Sequence, residues 1–540
     1  MLKYIIIVIN LILLIKIKNL FNFSANKKEI ILFLSFILIL IIGGSWVFNF
    51  KVDLQTSSAI SKPNIVVIMA DDLDKKSLDR MVTWGLMPNL KKHVIDRGIT
   101  FNNSFVTNSL CCPSRATFLT GQYSHNHNVL SNTAPGGSVT AFNDKNTLPV
   151  WLQKSGYYTS HIGKYLNGYG YSDINHDGLL NKDDLTYVPP GWDHWQASLD
   201  FSTYRTYNYK INDRGTIVYY GNMPADYQTD VFSARAYDTI KEARFTGKPL
   251  YLEVMPLAPH IEVGSKSSDV WKHSIRPAPR HFGTMAGIPL PRPPSFNEED
   301  ITDKPLWLQN EWPKLTSENI DWLTYKNRTR LESLRAVDDL VGNVVRALKE
   351  TKQYNNTIIL FTSDNGYLLG EHRLPEKLYA YEESIRVPLF IGGPLYFKGK
   401  NVNQFVLNND LAPTLAEIGG ATPDIAVDGT SIVPILKNTN IPWRKRFLIE
   451  HFQLMDSVLD TVTSYFAVRT NSITHPPEQT YVEYEDGGKE FYDLYEDPFQ
   501  MTSLHDDNST LRSLQRQAHS FWLDGLKNCA NGTCQVLEFK

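Results

Sequence analysis

The chain has 540 residues, 42% of them apolar and 21% charged, with 54 Lys and Arg against 57 Asp and Glu for a formal net charge of −3. That length exceeds one comfortable core and calls for a large domain with a smaller one, and the composition excludes a disordered chain. The charge balance lacks the basic excess that a nucleic-acid partner requires.

Two apolar runs open the chain, Tyr4 to Ile15 and Ile30 to Phe48, with Lys27 and Lys28 before the second. A basic flank followed by such a run fits a signal peptide or a signal-anchor over residues 1–48. An anchor would give a type II membrane protein with the remainder extracytoplasmic, whereas cleavage near Gly44 or Ser45 would release it. Residues 49–61 read as a polar linker. The sequons at Asn102, Asn327, Asn355, Asn508 and Asn531 agree with secretion.

Ile65 to Ala70 is wholly apolar, as in a strand buried on both faces of a parallel sheet, and Asp71 and Asp72 follow its carboxyl end. Leu148 to Lys154 reads as a helix, Tyr157 to Ile162 and residues 249–255 as strands, and 261–320 as long loops. Apolar spacing predicts a helix from Tyr325 to Glu350. A second buried strand, Thr357 to Thr362, runs into Ser363, Asp364 and Asn365. This alternation predicts an α/β fold with a large, mainly parallel sheet over residues 62–445. From residue 446 short strands are expected at Phe447 to His451, Tyr465 to Arg469, Thr480 to Glu485 and Phe491 to Leu494, with a closing helix near Leu511 to Leu526. These give a smaller antiparallel α+β unit over 446–540. Cys529 and Cys534 close a short loop that suits a disulfide, two surface thiols being the alternative.

Acidic pairs at the ends of two buried strands offer hard oxygen ligands for Ca²⁺ or Mg²⁺: Asp71 with Asp72, and Asp364 with Asn365. A helix N-cap pair is the alternative use of Asp71 and Asp72. Cys111 and Cys112 are adjacent, where a mutual bond would be strained. Residues 111–121 read CCPSRATFLTG.

This run resembles the signature of the formylglycine-dependent sulfatases, and the resemblance extends over about residues 62–540. It is strongest to the arylsulfatases of fungi and green algae and to N-acetylglucosamine-6-sulfatase, which share the doubled Cys. The resemblance implies an alkaline-phosphatase-like sandwich. It also implies that a formylglycine-generating enzyme oxidises Cys111 to Cα-formylglycine, and that Asp71, Asp72, Asp364 and Asn365 hold a cation, mostly Ca²⁺. Hydrated, the aldehyde offers one hydroxyl to attack sulfur and a second to expel sulfate. Arg115 would hold the hydrate, while Lys164, in GKYLNGYG, and Lys377, in DNGYLLGEHRLPEK, would reach the sulfate. His260, in APHIEV, would contact sulfate and protonate the leaving oxygen, with Lys377 as the other donor. Asp364 is expected to help deprotonate the attacking hydroxyl.

Leu166 departs from the pattern, since many sulfatases carry a His there that aids elimination. His125 and His127 are candidates to fill that gap. His372 is a further candidate, and Arg280 and His281 read as a substrate-loop element. The expected substrate is an aryl sulfate or a sulfated sugar, in the extracellular space, a lysosome or elsewhere on the secretory route. Three other readings stand beside the arylsulfatase-like one: an N-acetylglucosamine-6-sulfatase, a phosphohydrolase of the alkaline phosphatase type, and a noncatalytic glycan-binding ectodomain.

Overall fold

The computed structural model describes residues 62–174, 182–263, 270–394, 399–454, 462–471 and 478–540. Strand β1 (Asn64–Ala70) is buried along its whole length, and its side chains alternate between two cores. Ile65, Val67 and Met69 enter one core, Val66, Ile68 and Ala70 the other, so a continuous apolar run satisfies both faces of a central strand.

The remaining strands of this sheet are β2 (Gly98–Phe101), β3 (Tyr158–Gly163), β4 (His194–Ser198), β5 (Lys210–Asp213), β6 (Thr216–Tyr219), β7 (Leu250–Met255), β8 (Thr357–Ser363), β9 (Leu389–Gly392) and β10 (Lys400–Val402). They lie in the order β10-β2-β9-β8-β1-β7-β3-β4-β5-β6. The five strands from β8 to β4 are parallel, and antiparallel partners extend both sides. Helices α1 (Lys75–Thr83), α4 (Gln228–Ala243) and α5 (Ser317–Glu350) pack on one face. Helices α2 (Cys111–Thr120), α3 (Leu148–Lys154) and α6 (Leu411–Gly419) pack on the other, completing the sandwich.

Helix α5 starts at Ser317, eight residues before the periodicity shows it. Thr316 and Asn319 form a reciprocal cap, the Thr316 hydroxyl accepting from the Asn319 amide and the Asn319 side chain from the Thr316 amide. Helix α2 ends at Gly121, whose left-handed φ of 72° would strain any other residue, and a Cβ there would crowd Pro413 and Val427.

Beyond residue 445 a four-stranded antiparallel sheet runs β11 (Arg446–His451), β12 (Tyr465–Thr470), β13 (Gln479–Tyr484) and β14 (Lys489–Asp493). One face, through Phe447, Ile449, Ala467 and Val482, packs on Phe105, Tyr379 and Phe405 of the larger part. The other, through Leu448, Val468 and Phe491, lies under α7 (Thr510–Leu526) and α8 (Thr533–Phe539). Residues 62–540 form one compact unit.

The expectation of a signal-anchor is corrected. Among the described residues no helix is long and apolar enough to cross a membrane. The two apolar runs that prompted it, the targeting region 1–48 and the linker 49–61 lie outside the described residues, and no anchor is carried forward.

Candidate active site

Parallel strands β1 and β8 are neighbours, with Ala70 opposite Ser363, so both acidic pairs emerge side by side at the carboxyl end of the sheet. The Asp72 amide donates to Asp364 Oδ1 at 3.0 Å, and the Leu73 amide to Ser363 Oγ at 2.9 Å. Asn365 Nδ2 donates to Asp72 Oδ1 at 2.7 Å. Asp72 takes a left-handed φ of 61°, a conformation Asp tolerates better than most residues, which turns the chain back over the site.

Helix α2 brings its first residue to these carboxylates. Cys111 Sγ lies 3.8 Å from Asp71 Oδ1 and accepts from Lys377 Nζ at 2.9 Å. This thiol stands where the oxygens of a formylglycine would be. Lys377 also donates to Asp72, and Lys164 Nζ donates to Asp71 Oδ2 at 2.6 Å. Arg115, one turn along α2, uses Nε on Asp364 Oδ2 and Nη1 on the Lys164 carbonyl, each at 2.9 Å. His260 places Nε2 3.5 Å from Asp72 Oδ2. Its Nδ1 is 2.6 Å from the Ile261 carbonyl, which can only accept, so Nδ1 carries the hydrogen. All of these side chains are buried.

Their charges are mutually set. Burial alone would raise the Asp71 carboxyl, but Lys164, His260 and Arg115 outweigh it and hold it at about 2. Burial pushes the Cys111 thiol up to about 12, against the pull of Lys164 and Lys377. Burial also lowers His260, in spite of Asp72 and Asp71.

The donor set suits a hard cation. Asp71, Asp72 and Asp364 present carboxylate oxygens, and Asn365 Oδ1 is buried without a hydrogen-bond partner. An orphaned amide oxygen beside three carboxylates is what Ca²⁺ or Mg²⁺ coordination would satisfy. Asp71, Asp72, Cys111 and His260 also bring ligand atoms within 4.8 Å of one another.

The sulfatase family model matches residues 63–421, and a model described as N-sulphoglucosamine sulphohydrolase, C-terminal, matches 370–522. The chain belongs to the sulfatase family. It is 31% identical to the human N-acetylglucosamine-6-sulfatase over 536 residues, covering 93% of this chain and 90% of that one. It is 34% identical to an arylsulfatase of Volvox carteri over 400 residues, 70% of this chain and 59% of that one. A solved structure in complex with its substrate D-glucosamine-2-N,6-O-disulfate shares the fold, with a TM-score of 0.66 at 23% identity, covering 86% of this chain and 97% of that one. With the buried Asp, Asp, Cys and His cluster in place, the protein is a sulfate-ester hydrolase and not a binding module.

The remaining sequence candidates bond partners outside this cluster. His125 bonds Glu450 Oε2 at 2.7 Å and the Cys529 carbonyl at 2.9 Å. His127 meets the Thr117 hydroxyl at 3.0 Å, and His372 meets Glu298 at 2.7 Å while stacking on Tyr381. Arg280 spans Asp230 and Asp339, and His281 meets Asp339 at 2.8 Å, which pins their loop to α4 and α5. Cys529 and Cys534 form a disulfide. Among the sequons, Asn355, Asn508 and Asn531 are exposed and Asn102 half-buried. Asn327 is buried in α5, where this packing leaves no room for a glycan.

Two site residues were invisible in the motifs. Arg330 of α5 donates to the Asp72 carbonyl at 2.5 Å and the Pro259 carbonyl at 3.0 Å, tying the β1 end to the His260 loop. The Tyr204 ring lies 4.7 Å from Lys164 Nζ and 5.1 Å from the His260 ring, and its hydroxyl accepts from Asn167 Nδ2 at 2.6 Å. A long-helix Arg and a loop Tyr carry no local signal, because their roles depend on tertiary placement.

Proposed function

We propose that the protein removes sulfate from a sulfated amino sugar of a glycan, with N-acetylglucosamine-6-sulfate as the first candidate. The observation that carries this reading is the likeness to the human N-acetylglucosamine-6-sulfatase through 93% of the chain. Arylsulfatase action is the second reading, favoured by the Volvox carteri likeness over 70% of the chain. A 6-sulfated N-acetylglucosamine oligosaccharide and an aromatic sulfate, assayed side by side for released sulfate, separate the two. Faster turnover of the oligosaccharide is expected, and turnover of the aromatic sulfate alone would reverse the choice.

Within this reading, Arg115, Lys164 and Lys377 are a preorganised cationic cup for one tetrahedral anion. A cation held by Asp71, Asp72, Asp364 and Asn365 would supply Lewis-acid neutralisation of charge on a sulfate oxygen. A formylglycine at 111 would supply the attacking hydroxyl and the means of release. Asp364 has Oδ1 engaged by two backbone amides and Oδ2 by Arg115, so it is better placed to orient than to accept a proton. Asp71 Oδ1 is the carboxylate oxygen that faces the side chain at 111. His260, with Nδ1 fixed on Ile261, presents Nε2 to the cluster, and as the imidazolium, the form that Asp72 and Asp71 favour against burial, it would donate the Nε2 proton to a leaving oxygen.

The formylglycine itself is tested by the mass of the peptide containing Cys111, which should lose sulfur and two hydrogens and gain one oxygen. An intact thiol in protein from its natural host would sink the assignment. The disulfide and the exposed sequons support a secretory route, and we assign the enzyme to the extracellular space or a lysosome.

A further inference from the structure

Behind the cationic cup lies a buried pair that the reaction does not use. Strands β3 and β7 are neighbours, and their register sets His161 opposite Glu253, with Trp195 of β4 on the other side of the histidine. His161 Nδ1 donates to Glu253 Oε2 at 2.8 Å, and the Tyr251 hydroxyl donates to Glu253 Oε1 at 2.6 Å. The imidazole is stacked 4.7 Å from the Trp195 ring and edged by Tyr165 and Trp192. Since a carboxylate only accepts, Nδ1 carries the hydrogen and Nε2 remains to find a partner. His161 and Glu253 are each 1% exposed, and Nε2 has no hydrogen-bond partner. Leaving such an atom bare is destabilising, because its lost hydration is not replaced.

Two residues along from this pair come Gly163 and Met255, and then Lys164. The pair therefore sits one pleat repeat, about 7 Å, behind the strand ends that carry the site. A second bare atom lies in the same region. Arg115 Nη2 is buried, 3.5 Å from Asp71 Oδ2, and makes no hydrogen bond, although Nε and Nη1 of the same guanidinium are both engaged. Arg115, Lys164, His161 and Glu253 line one small pocket offering about 10 Å³ to the centre of a water molecule. That is about the room one water needs, and a buried water is stable when it meets two or more polar groups.

We propose that one water in this pocket accepts from Arg115 Nη2 and donates to His161 Nε2, making His161 and Glu253 a positioning pair for the guanidinium that holds Asp364 and the Lys164 carbonyl. The chain is Tyr251 to Glu253 to His161 to water to Arg115. Each link fixes the next, so the plane of the guanidinium is set from inside the sheet. The role rests on the sulfatase activity and adds a residue pair that does not touch substrate. Loss of the pair should slow the chemical step and leave substrate capture by Lys164 and Lys377 in place.

A crystal structure of the full chain, at a resolution that places waters, tests the geometry. A water within hydrogen-bond reach of both Arg115 Nη2 and His161 Nε2 is expected, and an empty pocket would overturn the proposal. In solution, His161→Phe and His161→Gln are compared with the natural enzyme on an aromatic or sugar sulfate. His161→Phe should lower kcat about 10-fold with KM changed less than about 2-fold, and His161→Gln, which keeps a polar atom towards the pocket, should recover most of the loss. An unchanged kcat in His161→Phe, or equal losses of kcat and of melting temperature in both variants, would assign the pair to packing alone. Turnover by the natural enzyme in the same assay tests the sulfatase reading separately.

Discussion

At position 111 the side chain is buried between Asp71 and Lys377, and burial lifts its thiol to about 12. A thiol so lifted is a poor nucleophile, because the thiolate is the reactive form. Cys111→Ser should not mimic the mature enzyme either, since a lone hydroxyl has no second oxygen to expel sulfate. It is expected to give no sustained turnover and at most one sulfate retained per chain. Mass spectrometry would read that as a sulfated serine in the peptide spanning position 111. Chelation should abolish activity, and Ca²⁺ should restore it. Cation at 100 times its Kd should also raise stability by about 2.7 kcal/mol, read by thermal melting, and Asp72→Asn should erase most of that gain. The residues that converge here were legible where they follow a buried strand or fall in the CCPSR run. Arg330, Tyr204 and His161 were not, because helix docking, loop packing and strand register place them, and a single sequence shows none of these.

The element that carries Cys111 is clamped just beyond its end. The Tyr123 amide donates to Asp428 at 2.8 Å, its hydroxyl donates to Glu538, and the Ser124 amide donates to Glu450 at 2.5 Å, while His125 bridges Glu450 and the disulfide loop. Burial raises Glu538 to about 7, more than Arg444 can offset. Burial would lower His125, but its bond and charge interaction with Glu450 carry it to about 9. Both folded values lie above the unfolded ones. The stability each contributes is thus complete below the ordinary pKa of its group and is lost as pH rises through the folded value. The melting temperature is expected to fall from the ordinary glutamate range through about pH 7, and again from the ordinary histidine range through about pH 9. Glu538→Gln should flatten the first fall in a pH series of thermal melts, and an unchanged profile would exclude this assignment. Among the elements, α3 was legible to the residue because its apolar run is sharply bounded. The start of α5 was not, since Asn319 stands in the cap position where Glu or Gln would be the usual signal. Strands β4, β9 and β10 were also missed, being short pieces whose pairing comes from distant segments.

Over the whole molecule, residues 62–540 cohere as one unit although the texture of the sequence changes at residue 446. That change is the switch from α/β alternation to antiparallel strands, and it is real in the topology. What the sequence could not show is the seam. Arg444 is fully buried there between Asp410, which it meets at 2.6 Å, and Glu538, at 3.3 Å. Removing one member of such a buried set leaves the others uncompensated. Arg444→Met is expected to cost about 3–5 kcal/mol by denaturant titration. The natural protein should unfold in a single transition, and two transitions would show that residues 446–540 fold apart.

The depth of Cys111, only 1% exposed, has a consequence for the order of events during synthesis. The segment just beyond its helix is held by Asp428, Glu450 and Glu538, each more than 300 residues further along the chain. Any catalyst that must grasp this cysteine has to arrive while the nascent polypeptide is still open. Once these downstream partners dock, the thiol is sealed in whichever chemical state it has reached.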